Sequence, residues 1–373
     1  MPKNLFILIF LVLLSACNAK KNAQSTPAPS EALKVESTIE QKAKDTLAAK
    51  TSKEDALTGE LHTATITTTT IDSLEHFFVD GMGLTMEKIE VDAETKSLQR
   101  KLWDIPQDID WETYRFHRPE VAGLMQLRVL VVNQETPSIH KSWNSRELGP
   151  FSLGFPNGDQ ASLDKHIRSL GFGAMENMQG GQIPRGDGTT YGYLETIFKA
   201  PEFLHCVGIE RQDGVPQLAP INEETKEGGP GYSAMVLKDS DAFLAFLTDV
   251  LGLELRADRH WKSSEGGALG IPAGVPFRFS LVYSQGAAKN HLLFLDYEDG
   301  KYIEIDVAPK VPNQGLGMWT FETKDIKQIQ DKANDKGITI VHAPLSYHDP
   351  ILGTRTVMTL LAPNGFLVEI FMK

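Results

Sequence analysis

The stretch Gly231 to Leu253, GYSAMVLKDSDAFLAFLTDVLGL, reads as one complete strand, cap and helix, and weaker copies recur three times along the chain. Tyr232, Ala234 and Val236 alternate with Ser233, Met235 and Leu237, so a strand here must be covered on both faces. Asp239 follows as an N-cap. Phe243, Phe246, Leu247, Val250 and Leu251 then fall at the i, i+3, i+4, i+7 and i+8 spacing of an amphipathic helix that Gly252 stops. A second copy spans Gly317 to Ile338: Met318 to Thr323 alternate, Asp325 caps, Ile326, Ile329 and Ala333 form the apolar stripe, and Gly337 ends it. The strand-to-cap interval agrees, since 239 − 232 and 325 − 318 are both seven. Thr70 with Leu74, Phe77, Phe78 and Gly83 gives a third copy, and Asp159 with Leu163, Ile167, Leu170 and Gly171 a fourth. Four copies in two pairs predict two domains.

The 373 residues suffice for two ordinary cores, and 41% hydrophobic with 23% charged residues is a globular composition. A formal charge of −12 without clustered Lys and Arg argues against nucleic acid as a partner. Lys3 followed by the apolar run Leu5 to Leu14 and small residues predicts a secretory signal, too short to span a membrane. Its end, Leu14-Ser15-Ala16-Cys17, resembles the bacterial lipobox, which implies that Cys17 is lipidated and becomes the mature N-terminus, a membrane anchor. Asn18 is not the Asp that resembles an inner-membrane retention signal, so the expectation is an outer-membrane lipoprotein facing the periplasm. Cys206 is the other cysteine, so the mature protein has no intramolecular disulfide; in its apolar run it reads as a small buried hydrophobe.

Residues 18–57 lack aromatic side chains, mix Lys with Glu and Asp, include Thr26-Pro27-Ala28-Pro29, and predict a flexible tether. The first folded domain is expected over 58–213 and the second over 229–373. Between them, the Pro216, Pro220 and Glu-rich stretch 214–228 serves as linker. Within the second domain, strands are expected at Phe277 to Tyr283, His291 to Leu295 and Tyr302 to Val307 after the first helix. Two more are expected at Val357 to Leu361 and Phe366 to Met372 after the second. The unit is a strand, a helix and about three strands.

These pieces, with Gly353-Thr354-Arg355 and the closing Ala362-Pro363-Asn364-Gly365-Phe366-Leu367-Val368-Glu369, resemble the vicinal oxygen chelate superfamily of glyoxalases, bleomycin-resistance proteins and extradiol dioxygenases. The resemblance implies an α+β fold: two tandem domains, each of two paired βαβββ modules around a concave sheet. It also implies a cavity in which first and last strands hold a divalent metal through imidazole or carboxylate. By register, those positions in the second domain are Tyr232, Glu304, Met318 and Glu369. In the first domain they fall near Thr63, Ser152 and Val207, with His62 one residue out of register, a degenerate site. A two-histidine iron site cannot be assembled from them, which disfavours the usual extradiol chemistry.

Three readings of Glu304 and Glu369 stand at this point. They are an acid/base pair with one raised pKa, with Tyr232 as a weaker third group; or oxygen ligands, with Tyr232 and water, for Mg or Mn; or strand carboxylates solvated or paired with Arg278 or Arg355. Met318, His348 and Arg355 are candidate ligand contacts, with Tyr347 and Asp349 beside them and His260 and Trp261 after the first helix. Asp159, Asp239 and Asp325 read as helix caps, and Gly228 to Gly231 as a turn. Three functions follow: a glyoxalase-like lyase or isomerase acting on a small molecule, a bleomycin-resistance-like binding protein, or a structural lipoprotein. A deep polar cavity at the two glutamates favours the first, an apolar groove the second and a filled concavity the third.

Overall fold

The first module opens with β1 (Thr58–Thr68), whose threonines alternate with Leu61, Ala64 and Ile66. α1 follows as Asp72–Glu75, continued by a π-helical turn over His76–Gly81, and closes at Gly83, whose φ of 68° is the left-handed conformation that glycine adopts without strain. Then come β2 (Thr85–Ile89), α2 (Ala93–Leu102), β3 (Trp111–His117) and β4 (Gln126–Val132). The second module is β5 (Gly149–Pro156), α3 (Gln160–Ser169), β6 (Gln179–Pro184), β7 (Thr190–Lys199) and β8 (His205–Arg211). The third is β9 (Tyr232–Val236), α4 (Ser240–Ala245 with a π-helical continuation over Phe246–Val250), β10 (Glu254–Lys262), β11 (Pro276–Tyr283) and β12 (Leu292–Tyr297). The fourth is β13 (Gly315–Thr323), α5 (Ile326–Asp335), β14 (Thr339–Asp349), β15 (Gly353–Leu361) and β16 (Leu367–Met372). This computed structural model describes residues 55–175, 177–184, 189–263, 271 and 273–372, so the signal sequence, Cys17 and nearly all of the tether lie outside the described residues.

The expected caps are in place. The Asp159, Asp239 and Asp325 side chains accept from the backbone N–H of Ser162, Ala242 and Gln328 at 3.0, 3.0 and 2.9 Å. Each satisfies a donor that the first helical turn leaves open. Asp92 does the same for α2, through Thr95 N at 2.7 Å, a helix that the sequence reading did not anticipate.

The strands form two eight-stranded mixed sheets, ordered β14-β15-β16-β13-β1-β4-β3-β2 and β10-β11-β12-β9-β5-β8-β7-β6. The α+β fold of paired βαβββ modules holds, but the partners are not sequential neighbours. The first module pairs with the fourth through antiparallel β1 and β13, and the second with the third through antiparallel β5 and β9. The expected divisions 58–213 and 229–373 therefore each contribute one module to each sheet. The connections supply the physical reason. After β8 the 212–231 segment returns to lay β9 against β5, where Gly231 N donates to Gly154 O at 2.9 Å. The outgoing stretch before β5 and the returning stretch before β13 are bonded to each other, Ile139 N to Gln314 O at 2.9 Å and Leu148 N to Ile303 O at 3.0 Å.

One core serves the helix-covered faces of both sheets. Ala64, Ile66, Leu127, Val129, Trp319, Val368 and Ile370 of the first sheet join Leu153, Phe155, Cys206, Met235 and Phe294 of the second, with Phe77, Phe243, Phe246 and Ile329 from the helices. The Trp319 indole N–H donates to Ser233 Oγ at 3.1 Å, tying β13 to β9. Cys206 is buried here, as its sequence context predicts. The opposite, concave faces are left to be filled or to form sites.

Candidate functional site

Period-two alternation puts Thr63, Thr65, Thr67, Arg128, Met318, Thr320, Thr359 and Glu369 on the concave face of the first sheet, since their strand neighbours belong to the shared core. This face is filled. Helix α2 lies over it, and Trp103, Trp111, Leu130, Met318, Val357, Leu367 and Phe371 pack into one cluster beneath. Glu369, fully buried, accepts from Arg128 Nη1 at 3.1 Å, Thr320 Oγ1 at 3.0 Å and Trp103 Nε1 at 2.6 Å. Asp349 lies on the other side of the guanidinium, 3.8 Å from Nη2, and accepts from Gln99 Nε2 at 3.1 Å, Tyr347 Oη at 2.9 Å and two backbone N–H groups at 2.8 Å. Burial alone would raise Asp349, but the charge of Arg128 and those hydrogen bonds hold it below the usual carboxylate range. Burial, with the Glu369 and Asp349 charges, pushes the Tyr347 hydroxyl upward.

The other sequence-predicted groups do not converge on Glu369. Glu304 lies after β12 in irregular chain, 65% exposed at its side chain and 2.6 Å from Lys238 Nζ. The expected strand Tyr302 to Val307 is not one: β10 to β12 occupy 254–262, 276–283 and 292–297, because the charged run ELRADRHWK forms an edge strand whose pattern reads as loop. The parallel partner of Ala234, equivalent to Glu369 opposite Thr320, is Leu293. Tyr232 belongs to the other sheet, where its ring lies flat over Gly154; a Cβ there would fall 1.9 Å from it. Met318 is a core residue of the first sheet. His348 is exposed, 3.2 Å from Thr354 Oγ1, and Arg355 donates to Thr354 O at 2.6 Å, so neither reaches the buried carboxylate. Arg278 pairs with Asp258 and Asp241 at 2.7 Å.

The concave face of the second sheet is of another kind. Alternation with core residues assigns Ile197, Val207, Ile209, Tyr232, Ala234, Val236, Leu293, Leu295, Phe277, Phe279 and Leu281 to it. Among the described residues no helix lies across it. Phe279, Leu281, Tyr193 and Tyr283 are half-buried, and Trp261, 47% exposed, stacks on Phe279 with ring centres 5.1 Å apart and planes 14° apart. Tyr232 stacks on His291 at 4.7 Å and 15°, and Tyr283 lies tilted by 32° against the same imidazole at 5.3 Å. The Arg256 guanidinium lies 4.4 Å from the Tyr283 ring centre. Burial raises the Tyr232 hydroxyl well above its ordinary value. His291 and Glu195 on this face went unrecognised in the sequence; the alternation of His291 with Leu292 was the available signal.

Burial pushes His291 down to about 3 and His205, edge-on to Phe151, down to about 4. Both titrate near 6.5 when unfolded. Between about pH 6.5 and 4.5 the unfolded chain therefore takes up protons that the folded chain refuses, and stability is lost as pH falls. Thermal unfolding should show a lower midpoint at pH 5 than at pH 7. His291→Phe, which keeps the stack and removes a ring whose Nδ1 has no partner, should shrink that difference. An unchanged pH dependence in this variant would count against a neutral buried His291.

Residues 229–370 match the family model of the Glyoxalase/Bleomycin resistance protein/Dioxygenase superfamily. A variant of glyoxalase I from Zea mays superposes with a TM-score of 0.55 at 12% identity, covering 89% of this chain and 96% of that one. The fold is that of the glyoxalase superfamily. Unsubstituted maize glyoxalase I aligns at 0.54 and 12% identity over 86% and 94% of the two chains. A putative dioxygenase from Bacillus subtilis aligns at 0.50 and 15% over 85% and 86%. No curated protein matches the chain.

A glyoxalase-superfamily fold raises the question of a divalent metal, and the donor sets at both sheet centres answer it. Seven residues before Thr70, which precedes the Ile71 N-cap position of α1, and before the cap Asp325 stand Thr63 and Met318. Five residues before Thr70 and Asp325 stand Thr65 and Thr320, whose parallel partners are Arg128 and Glu369. The first module thus offers a guanidinium at the position where the fourth offers a carboxylate, and the two meet as an ion pair. In the second sheet the equivalent residues are Ser152, Tyr232, Val207 and Leu293. Neither set fits a cation that takes nitrogen and oxygen ligands, and among the described residues no group of three or more His, Cys, Asp or Glu is placed to hold one.

Proposed function

We propose that this chain is a lipid-anchored envelope protein that binds a small apolar or aromatic molecule on the concave face of its second sheet. The observation that carries the reading is the contrast between two homologous faces. One is sealed by α2 around a buried ion pair, and the other is apolar at its centre, where Tyr232, Val207 and Leu293 are themselves buried, and presents half-buried Phe279, Leu281 and Tyr283 and exposed Trp261 toward its β10–β11 side. Apolar concavities with few polar groups are the usual form of small-molecule sites, and an exposed stacked Trp-Phe pair is surface that water does not favour. The acid/base reading needs Glu304 and Glu369 in one cavity, and they occupy a solvated ion pair and a sealed network.

N-phenyl-1-naphthylamine, an uncharged probe whose fluorescence rises in apolar surroundings, should bind saturably at one site. Val207→Trp, which fills the centre of that face, should weaken it at least about tenfold while leaving thermal unfolding cooperative. Probe binding that is unsaturable, or indifferent to this substitution, would refute the site.

The anchor rests on Leu14 to Cys17. Cys17→Ser removes the sulfur that would carry acyl chains, each buried methylene of which contributes about 0.8 kcal/mol. The variant should leave the membrane fraction or remain unprocessed; an unchanged mature mass and fractionation would exclude lipidation.

A further inference from the structure

We infer that the ligand of the second sheet carries a carboxylate, received by Arg211 and Lys289 at the end of the groove where β8 finishes and β12 begins. This inference rests on the binding reading above and adds a chemical class to it. Arg211 shares the concave-face parity of Val207 and Ile209. Its backbone is clamped on both sides by Gln217, whose Oε1 accepts from Arg211 N and whose Nε2 donates to Arg211 O, each at 2.7 Å. Its guanidinium lies 5.4 Å from the Tyr191 ring centre and makes one long hydrogen bond, 3.3 Å to Pro216 O. Lys289 stands two residues before His291, the imidazole stacked on Tyr232. Both cations line a recess of about 680 Å³, and both are partly buried.

The acids around the same recess are already engaged. Glu210 accepts from Gln160 N at 3.0 Å, Asp213 from Gly192 N at 2.8 Å, and Glu223 pairs with Lys226 at 3.4 Å. Among the described residues neither Arg211 nor Lys289 has a carboxylate within ion-pair distance. In a chain of net charge −12, two partly buried cations that share one recess and have no carboxylate within ion-pair distance among the described residues form an arrangement that selects an anion. A planar guanidinium with free N–H donors matches a carboxylate two-to-two, and the Lys289 ammonium, lining the same recess, adds a further donor. An aromatic carboxylate would place its charge in the recess and its ring beside the half-buried Tyr283.

Calorimetric titration of the full chain with 2-naphthoate and with the uncharged 2-naphthamide separates the two ideas. The naphthoate should bind at least about tenfold tighter, the fold-change expected of one hydrogen-bonded charge. Arg211→Gln and Lys289→Gln should each remove most of that preference and leave naphthamide affinity unchanged. Arg211 contributes its backbone to the Gln217 clamp, so Arg211→Lys, which keeps the charge and loses the fork, is a second variant expected to keep an intermediate preference. Equal affinities for the two probes in the parent chain, or a preference that survives both substitutions together, would overturn the anion subsite while the groove stands. Binding of neither probe would remove the groove reading and the subsite with it.

Discussion

Replacing Arg128 with Ala should cost about 3–5 kcal/mol of folding free energy, the loss expected when one member of a buried ion pair is removed. The substitution leaves Glu369 and Asp349 on a dry face with their shared cation gone. Glu369→Gln should also be destabilising although it conserves shape. Both carboxylate oxygens accept, from Trp103, Thr320 and Arg128, and an amide must turn its N–H donors toward one of those donors. A paired replacement, Arg128→Met with Glu369→Leu, should recover much of the single-variant loss, because hydrophobic residues of like volume need no desolvated charge. Urea denaturation of the three variants reads this as a coupling energy. If Arg128→Ala costs less than about 1 kcal/mol, the pair is solvated in a way that its burial does not reveal.

The fragment 229–373 should fail to unfold cooperatively when produced alone, although it contains two complete βαβββ modules. In the whole chain β9 is paired with β5 and β13 with β1, so the fragment presents two long unpaired sheet edges. It also loses α2 from over Glu369 and half of the shared core. The complementary test expresses 55–228 and 229–373 as separate chains: neither should melt cooperatively alone, and their mixture should. A monomeric fragment 229–373 with a sharp transition would show that β9 and β13 can pair with each other.

Much of the fold was legible in the chain because it rests on local chemistry. The caps Asp159, Asp239 and Asp325, the glycine stops and the apolar stripes are decided within one helix length, and each forms as its spacing predicts. The misplacement of Glu304 has an equally local cause. Edge strand β10 is exposed along most of its length, so its side chains are charged, and with that strand unseen the next two were each counted one place early. α2 escaped notice because Thr95, Gln99 and Leu102 make a short stripe of mixed polarity, apolar enough only for a face already closed by Trp103 and Trp111.

By itself the sequence determined the module, its fourfold recurrence and the two faces that each strand must present, because side-chain periodicity and capping act between residues a few positions apart. Which modules share a sheet was decided by tertiary structure, through two crossing connections whose mutual hydrogen bonds no periodicity encodes. The same step decided the fate of Glu369. A carboxylate on an inward-facing strand position looks alike in sequence whether a metal, solvent or an arginine faces it, and the arginine that does so comes from a residue 241 positions earlier.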